Sequence, residues 1–165
     1  MATAYWASEF SMIRVLEAGD SAPAAAREAD DLPLDVVVLH TSDTSTRQAL
    51  KTAATYAREL SAHVHLVAPR VVPFALDLNA PQVPVSFTAQ QLREIAGEAG
   101  IDASIDIVLC RDLVQTLACV LKPHSLIVLG EGRSPWWRLG WMGRENRLAQ
   151  QLRALGHQVV PADLA

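Results

Sequence analysis

A glycine- and tryptophan-rich stretch, GEGRSPWWRLGWMGR, spans residues 130–144 and directly follows an apolar run. Glycines after a buried strand let backbone N–H groups approach a phosphate, and the N-terminus of a following helix favours an anion. The same stretch holds Trp136, Trp137 and Trp141, which favour either packing of a long loop or a platform for a partner or a base. We expect partial burial with one ring accessible to a protein partner.

Histidine and cysteine residues are the next candidates for chemistry. His63 and His65 share one face of a predicted strand, as metal ligands do, but no third ligand stands nearby, so we predict two ordinary histidines and no metal site. Cys110 ends another predicted strand, where Arg111 could lower the thiol pKa. An inert thiol is favoured there over a redox sensor, and Cys119 is predicted in the core.

Signatures of enzymes do not occur in the sequence. No phosphate-binding G-x-x-x-x-G-K-[ST], no G-x-S-x-G, no H-E-x-x-H, and no G-x-G-x-x-G after the first strand is found. Asp43 and Asp112 could both approach one edge of the sheet, but nothing pairs them as acid and base. We therefore predict no catalytic residue, and an enzyme is the less favoured interpretation.

Composition limits the class of protein. The 165 residues are half apolar and 19% charged, with net charge −4, which indicates one globular domain. Basic residues are dense only within 133–147, so nucleic acid is not an expected partner. The sequence shows no membrane span, no secretory signal and no disulfide framework, and a cytoplasmic location is expected.

The first 34 residues differ from the rest and form a predicted extension, with the domain at 35–165. The spacing of Trp6, Phe10, Ile13 and Leu16 predicts an amphipathic helix over residues 4–18, followed by a proline-punctuated linker. Docking of this helix on its own domain is favoured over binding to a partner or a membrane.

From residue 35 onward, predicted strands and helices alternate. The strands are expected at 35–40, 63–69, 103–110, 125–130 and 157–162. The first helix is expected to begin in the Ser/Thr-rich turn 41–46 and to reach Leu60. The other helices are expected at 88–100 (capped by Thr88), 112–122 and 144–155. A proline-rich passage separates the second strand from its helix. This order predicts an α/β three-layer sandwich with a five-stranded parallel sheet, strand order 3-2-1-4-5, plus the N-terminal helical extension. Ligands of such sheets lie at the carboxyl edge where the strand order reverses, after strands one and four.

Residues 35–162 resemble the universal stress protein family, which has an adenine nucleotide alpha-hydrolase-like fold. The resemblance rests on the Ser/Thr-rich turn after strand one, the proline-rich passage, the CRD turn after strand three, and SLIVLG with its glycine-rich loop, followed by a short last strand. It implies a regulatory module of the stress response and a homodimer. The short strand in HQVVPA is a natural edge for pairing with a second copy.

The resemblance also implies a phosphate loop of the form G-x2-G-x9-G-[ST]. Gly130 and Gly143 match its outer glycines, whereas Arg133 stands at the middle glycine, with Gly132 one place early, and Arg144 stands at the Ser/Thr. The arginines can neutralise a phosphate or occupy the place of one, and the second interpretation is favoured.

The end of strand one points the same way. Nucleotide binders of the family carry an aspartate there, where this chain has His40, followed by Thr41; Val67 matches a position whose backbone contacts adenine. We predict degenerate or weak binding of ATP or AMP, with Mg²⁺ only as the nucleotide's companion. The alternatives are a genuine ATP/AMP binder with Arg133 and Arg144 on the phosphates, and a protein-interaction module without nucleotide.

Overall fold

The computed structural model describes residues 3–6, 12–17, 35–130 and 142–162. The strands in these ranges are β1 (Thr3–Trp6), β2 (Met12–Glu17), β3 (Asp35–Leu39), β4 (His63–Val71), β5 (Ala103–Cys110), β6 (Leu126–Gly130) and β7 (Gln158–Ala162). The helices are α1 (Asp43–Leu60), α2 (Val85–Glu98), α3 (Leu113–Val120) and α4 (Met142–Ala154).

All these strands form one sheet in the order β1-β2-β5-β4-β3-β6-β7. The five strands from β3 to β7 are parallel to their neighbours among themselves, whereas β2 pairs antiparallel with β5 and β1 antiparallel with β2. Counted from β3, the parallel strands have the order 3-2-1-4-5, which confirms the predicted α/β sandwich and its topology.

Apolar side chains cover both faces of the parallel sheet. Alternate residues of β3 enter different layers: Val36 and Val38 pack with α1 and α2, while Val37 and Leu39 pack with α3 and α4. A strand buried on both faces has no polar alternation, which is why the sequence shows continuous apolar runs there.

The predicted N-terminal helix over 4–18 is wrong. Thr3–Trp6 and Met12–Glu17 are strands, and β2 runs antiparallel along the outer edge of β5, from Met12 beside Cys110 to Glu17 beside Ile105. Helical spacing of a few apolar residues is a weak signal, and pairing with an otherwise open sheet edge overrides it. The predicted domain boundary at residue 34 lies outside the described residues.

Two bounds around the proline-rich passage also differ from expectation. β4 continues through Pro69 to Val71 and stays paired with β5. On its other side, β3 ends beside Val67, so no strand lies there to accept the N–H that Pro69 lacks. Helix α2 begins at Val85 after Pro84, so Thr88 is a buried residue within the helix and not its cap.

Candidate functional site

The strand order reverses at β3, which has β4 on one side and β6 on the other. His40 follows the end of β3, Gly130 ends β6, and α1 begins at Asp43. The carboxyl ends of adjacent parallel strands diverge at such a point and leave a crevice for a ligand. The structure therefore brings two of the predicted site residues, His40 and Gly130, to the predicted edge.

The Ser/Thr-rich turn forms the N-terminus of α1, as its residue types indicate. Ser42 is the N-cap: its hydroxyl accepts a hydrogen bond from the Ser45 N–H at 3.3 Å and donates one to Ser45 Oγ at 2.9 Å. Asp43 in the first turn complements the helix dipole. This capping fixes the start of α1 directly beside the crevice.

Gly130 is required by the packing of α1 on β6. A Cβ at this position would lie 1.9 Å from the Ser45 carbonyl oxygen and 2.8 Å from Ser45 Cα. These are backbone atoms at the first turn of α1, and they cannot turn aside as a flexible side chain can. The sequence had suggested a phosphate as the reason for this glycine, and close packing of the helix is a separate and sufficient reason.

His40 is anchored at both its backbone and its ring. Its N–H donates to the Val67 carbonyl at 2.9 Å, and its Nδ1 lies 2.9 Å from Thr46 Oγ1 in α1. Burial lowers the pKa of His40, Asp43 nearby raises it, and Arg70 lowers it. The imidazole is therefore neutral at pH 7 and offers hydrogen bonds without a charge.

Two polar residues that the sequence did not single out, Arg70 and Gln91, connect to the surroundings of His40: Arg70 acts on the His40 ring electrostatically, and Gln91 contacts Asp43. Arg70, near the end of β4, donates to Thr88 Oγ1 on α2 at 2.5 Å, and Gln91 Nε2 donates to Asp43 Oδ2 at 2.8 Å. The sequence gives only a weak indication of these two residues. Arg70 directly follows the predicted end of the second strand. Gln91 could not be singled out, because the sequence does not show which face of α2 packs against α1.

The other predicted site residues are distributed as follows. Thr41 is exposed beside His40, and Val67 is fully buried, with its carbonyl oxygen already accepting the His40 N–H. Gly143 and Arg144 lie in the first turn of α4, which begins two residues earlier than predicted. Because β7 starts at the amino edge beside Leu126, α4 runs back from the carboxyl edge, and its N-terminus belongs to the same end of the sheet as the crevice.

The remaining residues of the glycine- and tryptophan-rich stretch lie outside the described residues. They are residues 131–141, which include the singled-out Gly132, Arg133, Trp136, Trp137 and Trp141. The predictions of a phosphate contact and of a protein-binding platform at these positions stay predictions.

Comparison with known proteins gives fold likenesses. No protein-family model and no curated protein matches the chain. Among solved structures, a universal stress protein in complex with cAMP is 20% identical, with 81% of this chain and 100% of that chain covered and a TM-score of 0.49. A universal stress protein from Archaeoglobus fulgidus is 14% identical, with 80% and 95% covered and a TM-score of 0.49. Both are of the family that the sequence resembles.

Arg111 does not act on Cys110 as the sequence suggested. Its guanidinium donates to the carbonyl oxygens of Val72 at 2.8 Å, Pro73, and Leu76 at 2.7 Å, and it lies 5.3 Å from the centre of the Phe74 ring. Arg111 thus holds the start of the proline-rich passage against the end of β5.

The two cysteines differ in burial. Burial raises the pKa of Cys110, a hydrogen bond with Thr116 lowers it, and Asp112 raises it; the net direction is upward, which agrees with the inert thiol that the sequence favoured over a redox sensor. Cys119 is exposed, contrary to prediction. It follows the buried Leu117 by two positions, about 200° around a helix.

The two histidines of the second predicted strand, His63 and His65, differ in burial and in their contacts. His63 is exposed, whereas His65 is partly buried with its Nε2 3.6 Å from Asp106 Oδ2. Across the described ranges, no group of three or more His, Cys, Asp or Glu residues could hold a metal ion. No helix within those ranges is long and apolar enough to cross a membrane.

Strand β7 is the outer strand of the sheet next to β6. The Gln158 N–H donates to the Ser125 carbonyl oxygen at 3.1 Å, so by alternation the polar backbone groups of Val159 and Pro161 face the open side. Pro161 has no N–H, and Arg153 Nη2 donates to the Val159 carbonyl oxygen at 3.1 Å. This edge therefore offers a second copy few backbone groups for pairing.

Proposed function

We propose that this protein is a universal-stress-protein-like regulatory module whose crevice between β3 and β6 binds an adenine nucleotide weakly. The observation that supports the proposal is the meeting of His40, Gly130 and the capped first turn of α1 at the point where the strand order reverses. Open parallel sheets bind ligands at this place.

The chain supplies distinct groups for the parts of a nucleotide. The N-terminus of α4, with Gly143 and Arg144 in its first turn, suits the phosphates through the helix dipole and a cationic side chain. The neutral ring of His40 suits one hydrogen bond to the sugar, and Val67 lies next to His40 at the end of the pairing between β3 and β4. When bound, Mg²⁺ would come with ATP, neutralising its phosphate charge.

Weak binding follows from the same residues. A single imidazole nitrogen makes one hydrogen bond, where a carboxylate could hold two hydroxyls. The carbonyl oxygen of Val67 already accepts from the His40 backbone, and Gly130 is occupied in packing against Ser45. We propose a dissociation constant on the order of millimolar, which corresponds to about −4 kcal/mol.

We also propose that the protein forms a homodimer through β7, but only a weak one. The open side of β7 provides the Val159 N–H and the Pro161 carbonyl as its pairing groups, with the Val159 carbonyl bonded to Arg153. We therefore propose a weak dimer in the cytoplasm that assembles at high concentration, with side-chain packing as its main source of affinity.

Thermal unfolding with added ATP or AMP, with and without Mg²⁺, tests the nucleotide proposal. At a ligand concentration ten times the dissociation constant, unfolding costs about 1.4 kcal/mol more. For a chain of this size that corresponds to a rise in Tm of roughly 3–5 °C. His40→Ala should remove most of the rise, and His63→Ala, an exposed histidine at the other edge of the sheet, should keep it. An unchanged Tm with every nucleotide contradicts the proposal.

A further inference from the structure

Two histidines stand at the amino edge of the sheet, the edge opposite the crevice. His124 precedes β6 and His157 directly precedes β7, and these two strands are neighbours in the sheet. The imidazole of His124 lies over Gly156, with its Nδ1 and Cε1 both 3.7 Å from the position that a Cβ on that glycine would take. Because Gly156 is the residue before His157, the fold brings the two histidines together although the whole of α4 separates them in sequence.

The hydrogen bond of His124 determines which of its ring nitrogens can bind a cation. Nδ1 lies 3.2 Å from the Gly156 carbonyl oxygen, which can only accept, so Nδ1 carries the proton. A neutral imidazole then has its lone pair on Nε2. Histidines that bind metals almost always donate their other ring N–H to a carbonyl, a carboxylate or water, which fixes the tautomer in the same way. The exposed side chain of His124 is therefore held in a metal-binding tautomer.

His157 contributes a second imidazole, and this one is buried. Only 7% of the residue is exposed, and its Nδ1 has no hydrogen-bond partner within the described part of the chain. Buried ring nitrogens are normally hydrogen-bonded, so this nitrogen points to a ligand that the described residues do not supply. Burial lowers the pKa of His157, and the nearby His124 lowers it further. The ring is therefore neutral at pH 7, which is the form that ligates metals.

Backbone turns hold both imidazoles in place. Gly156 closes α4 with a φ of +90°, and its N–H donates to the Arg153 carbonyl oxygen at 3.0 Å. The next N–H, that of His157, donates to the Leu152 carbonyl oxygen at 3.1 Å. Such a turn is a common end of a helix and fixes the direction of the chain that follows it. His124 also has a left-handed backbone, with a φ of +60°.

The charges around the pair favour one class of cation. His124 is the one ionisable group in the described ranges that acts on the pKa of His157, so no carboxylate there takes part. Lys122, close to His124 in sequence, has its ammonium paired with Asp35 at 2.5 Å. Mg²⁺ and Ca²⁺ need oxygen ligands, whereas imidazole nitrogens suit Zn²⁺, Cu²⁺ and Ni²⁺.

We infer that the imidazoles of His124 and His157 form a binding site for a divalent transition-metal ion of the class that prefers nitrogen ligands, such as Zn²⁺, Cu²⁺ or Ni²⁺. Two protein ligands leave the other coordination positions to water, so the ion exchanges with the solution. A bound ion connects the starts of β6 and β7. The site lies at the amino edge, so it does not depend on nucleotide binding in the crevice.

Calorimetric titration of the chelator-treated full chain with Zn²⁺ tests the inference. We expect one ion per chain and no binding of Mg²⁺. His124→Asn removes the imidazole and suits the left-handed backbone, and it should weaken the affinity for Zn²⁺ at least about tenfold. The matched control is His63→Asn, which changes an exposed histidine at the same edge of the sheet and should keep the wild-type affinity.

Nuclear magnetic resonance of the histidine side chains gives a second readout. Zn²⁺ should shift the ring signals of His124 and His157 and leave those of His63 unchanged. His157→Phe, which keeps a ring in the buried position without a ligand, should lose as much affinity as His124→Asn. The inference is overturned if the wild-type chain binds no stoichiometric ion at about 1 mM Zn²⁺, or if His124→Asn binds as the wild type does. A loss of affinity in His63→Asn equal to that in His124→Asn also overturns it.

Discussion

Gly130→Ala inserts a methyl group where the end of β6 meets the first turn of α1. The new Cβ would lie 1.9 Å from the Ser45 carbonyl oxygen and 2.5 Å from its carbon. Normal contacts between such atoms exceed 3 Å, so α1 and β6 must separate by more than an ångström. The first turn of α1 also carries Thr46, so the displacement extends to the contact with His40.

The cost follows from which atoms must move. Overpacking a well-packed core destabilises by about 1–3 kcal/mol when side chains can adjust, and here backbone atoms of a helix and a central strand must shift. We expect a loss of at least about 3 kcal/mol, a large fraction of a domain's total stability of roughly 5–15 kcal/mol. At about 2–4 °C per kcal/mol, Tm should fall by roughly 6–12 °C.

Urea unfolding followed by circular dichroism measures the loss, and Gly97→Ala is the matched control. Gly97 lies in α2 with nothing within 4 Å of an added Cβ, so its replacement should be neutral or stabilise by up to about 1 kcal/mol. If Gly130→Ala loses less than about 0.5 kcal/mol while nucleotide binding disappears, Gly130 serves the ligand, and the packing argument is refuted.

Three further outcomes are expected. Burial lowers the pKa of both His40 and His157, so these histidines take up protons in the unfolded chain at a higher pH than in the folded one. The free energy of unfolding should therefore fall as the pH drops below about 6.5. A free energy of unfolding that stays constant from about pH 8 to 5 in urea titrations contradicts this. Cys119 is exposed and Cys110 buried, so a thiol reagent should modify Cys119 at once and Cys110 only on unfolding; equal rates oppose that assignment. Pro161→Val restores an N–H on the open side of β7 and should raise the dimer fraction in light scattering, whereas an unchanged mass argues against pairing through β7.

The parallel part of the fold could be predicted because its signals are local. Apolar runs such as the one that forms β3 have no polar alternation and are bounded by caps and glycines, and their alternation with helices dictates a parallel sheet. The N-terminal strands could not be predicted in this way. β2 pairs with the edge of β5, about 90 residues further along the chain, and β1 pairs with β2; edge pairing of this kind leaves no periodic signature of its own.

The candidate site was predictable in place but not in detail. The predicted strand order placed His40 and Gly130 at the carboxyl edge where the order reverses, and the structure has them there; their role in binding stays a prediction. The reason for Gly130 depends on how closely α1 approaches β6, and the anchoring of the His40 ring depends on where the packing of α1 places Thr46. Both are properties of packing between elements, which no single stretch of sequence contains.

Nuclear magnetic resonance titration of the labelled full chain with adenine nucleotides tests the central claim most directly. If the crevice between β3 and β6 is the binding site, saturating AMP or ATP should shift the amide signals of His40, Gly130 and the first turn of α1, while His63 and the amino edge of the sheet stay unchanged. Signals that do not move at any nucleotide concentration, or that move only away from this edge, contradict the account.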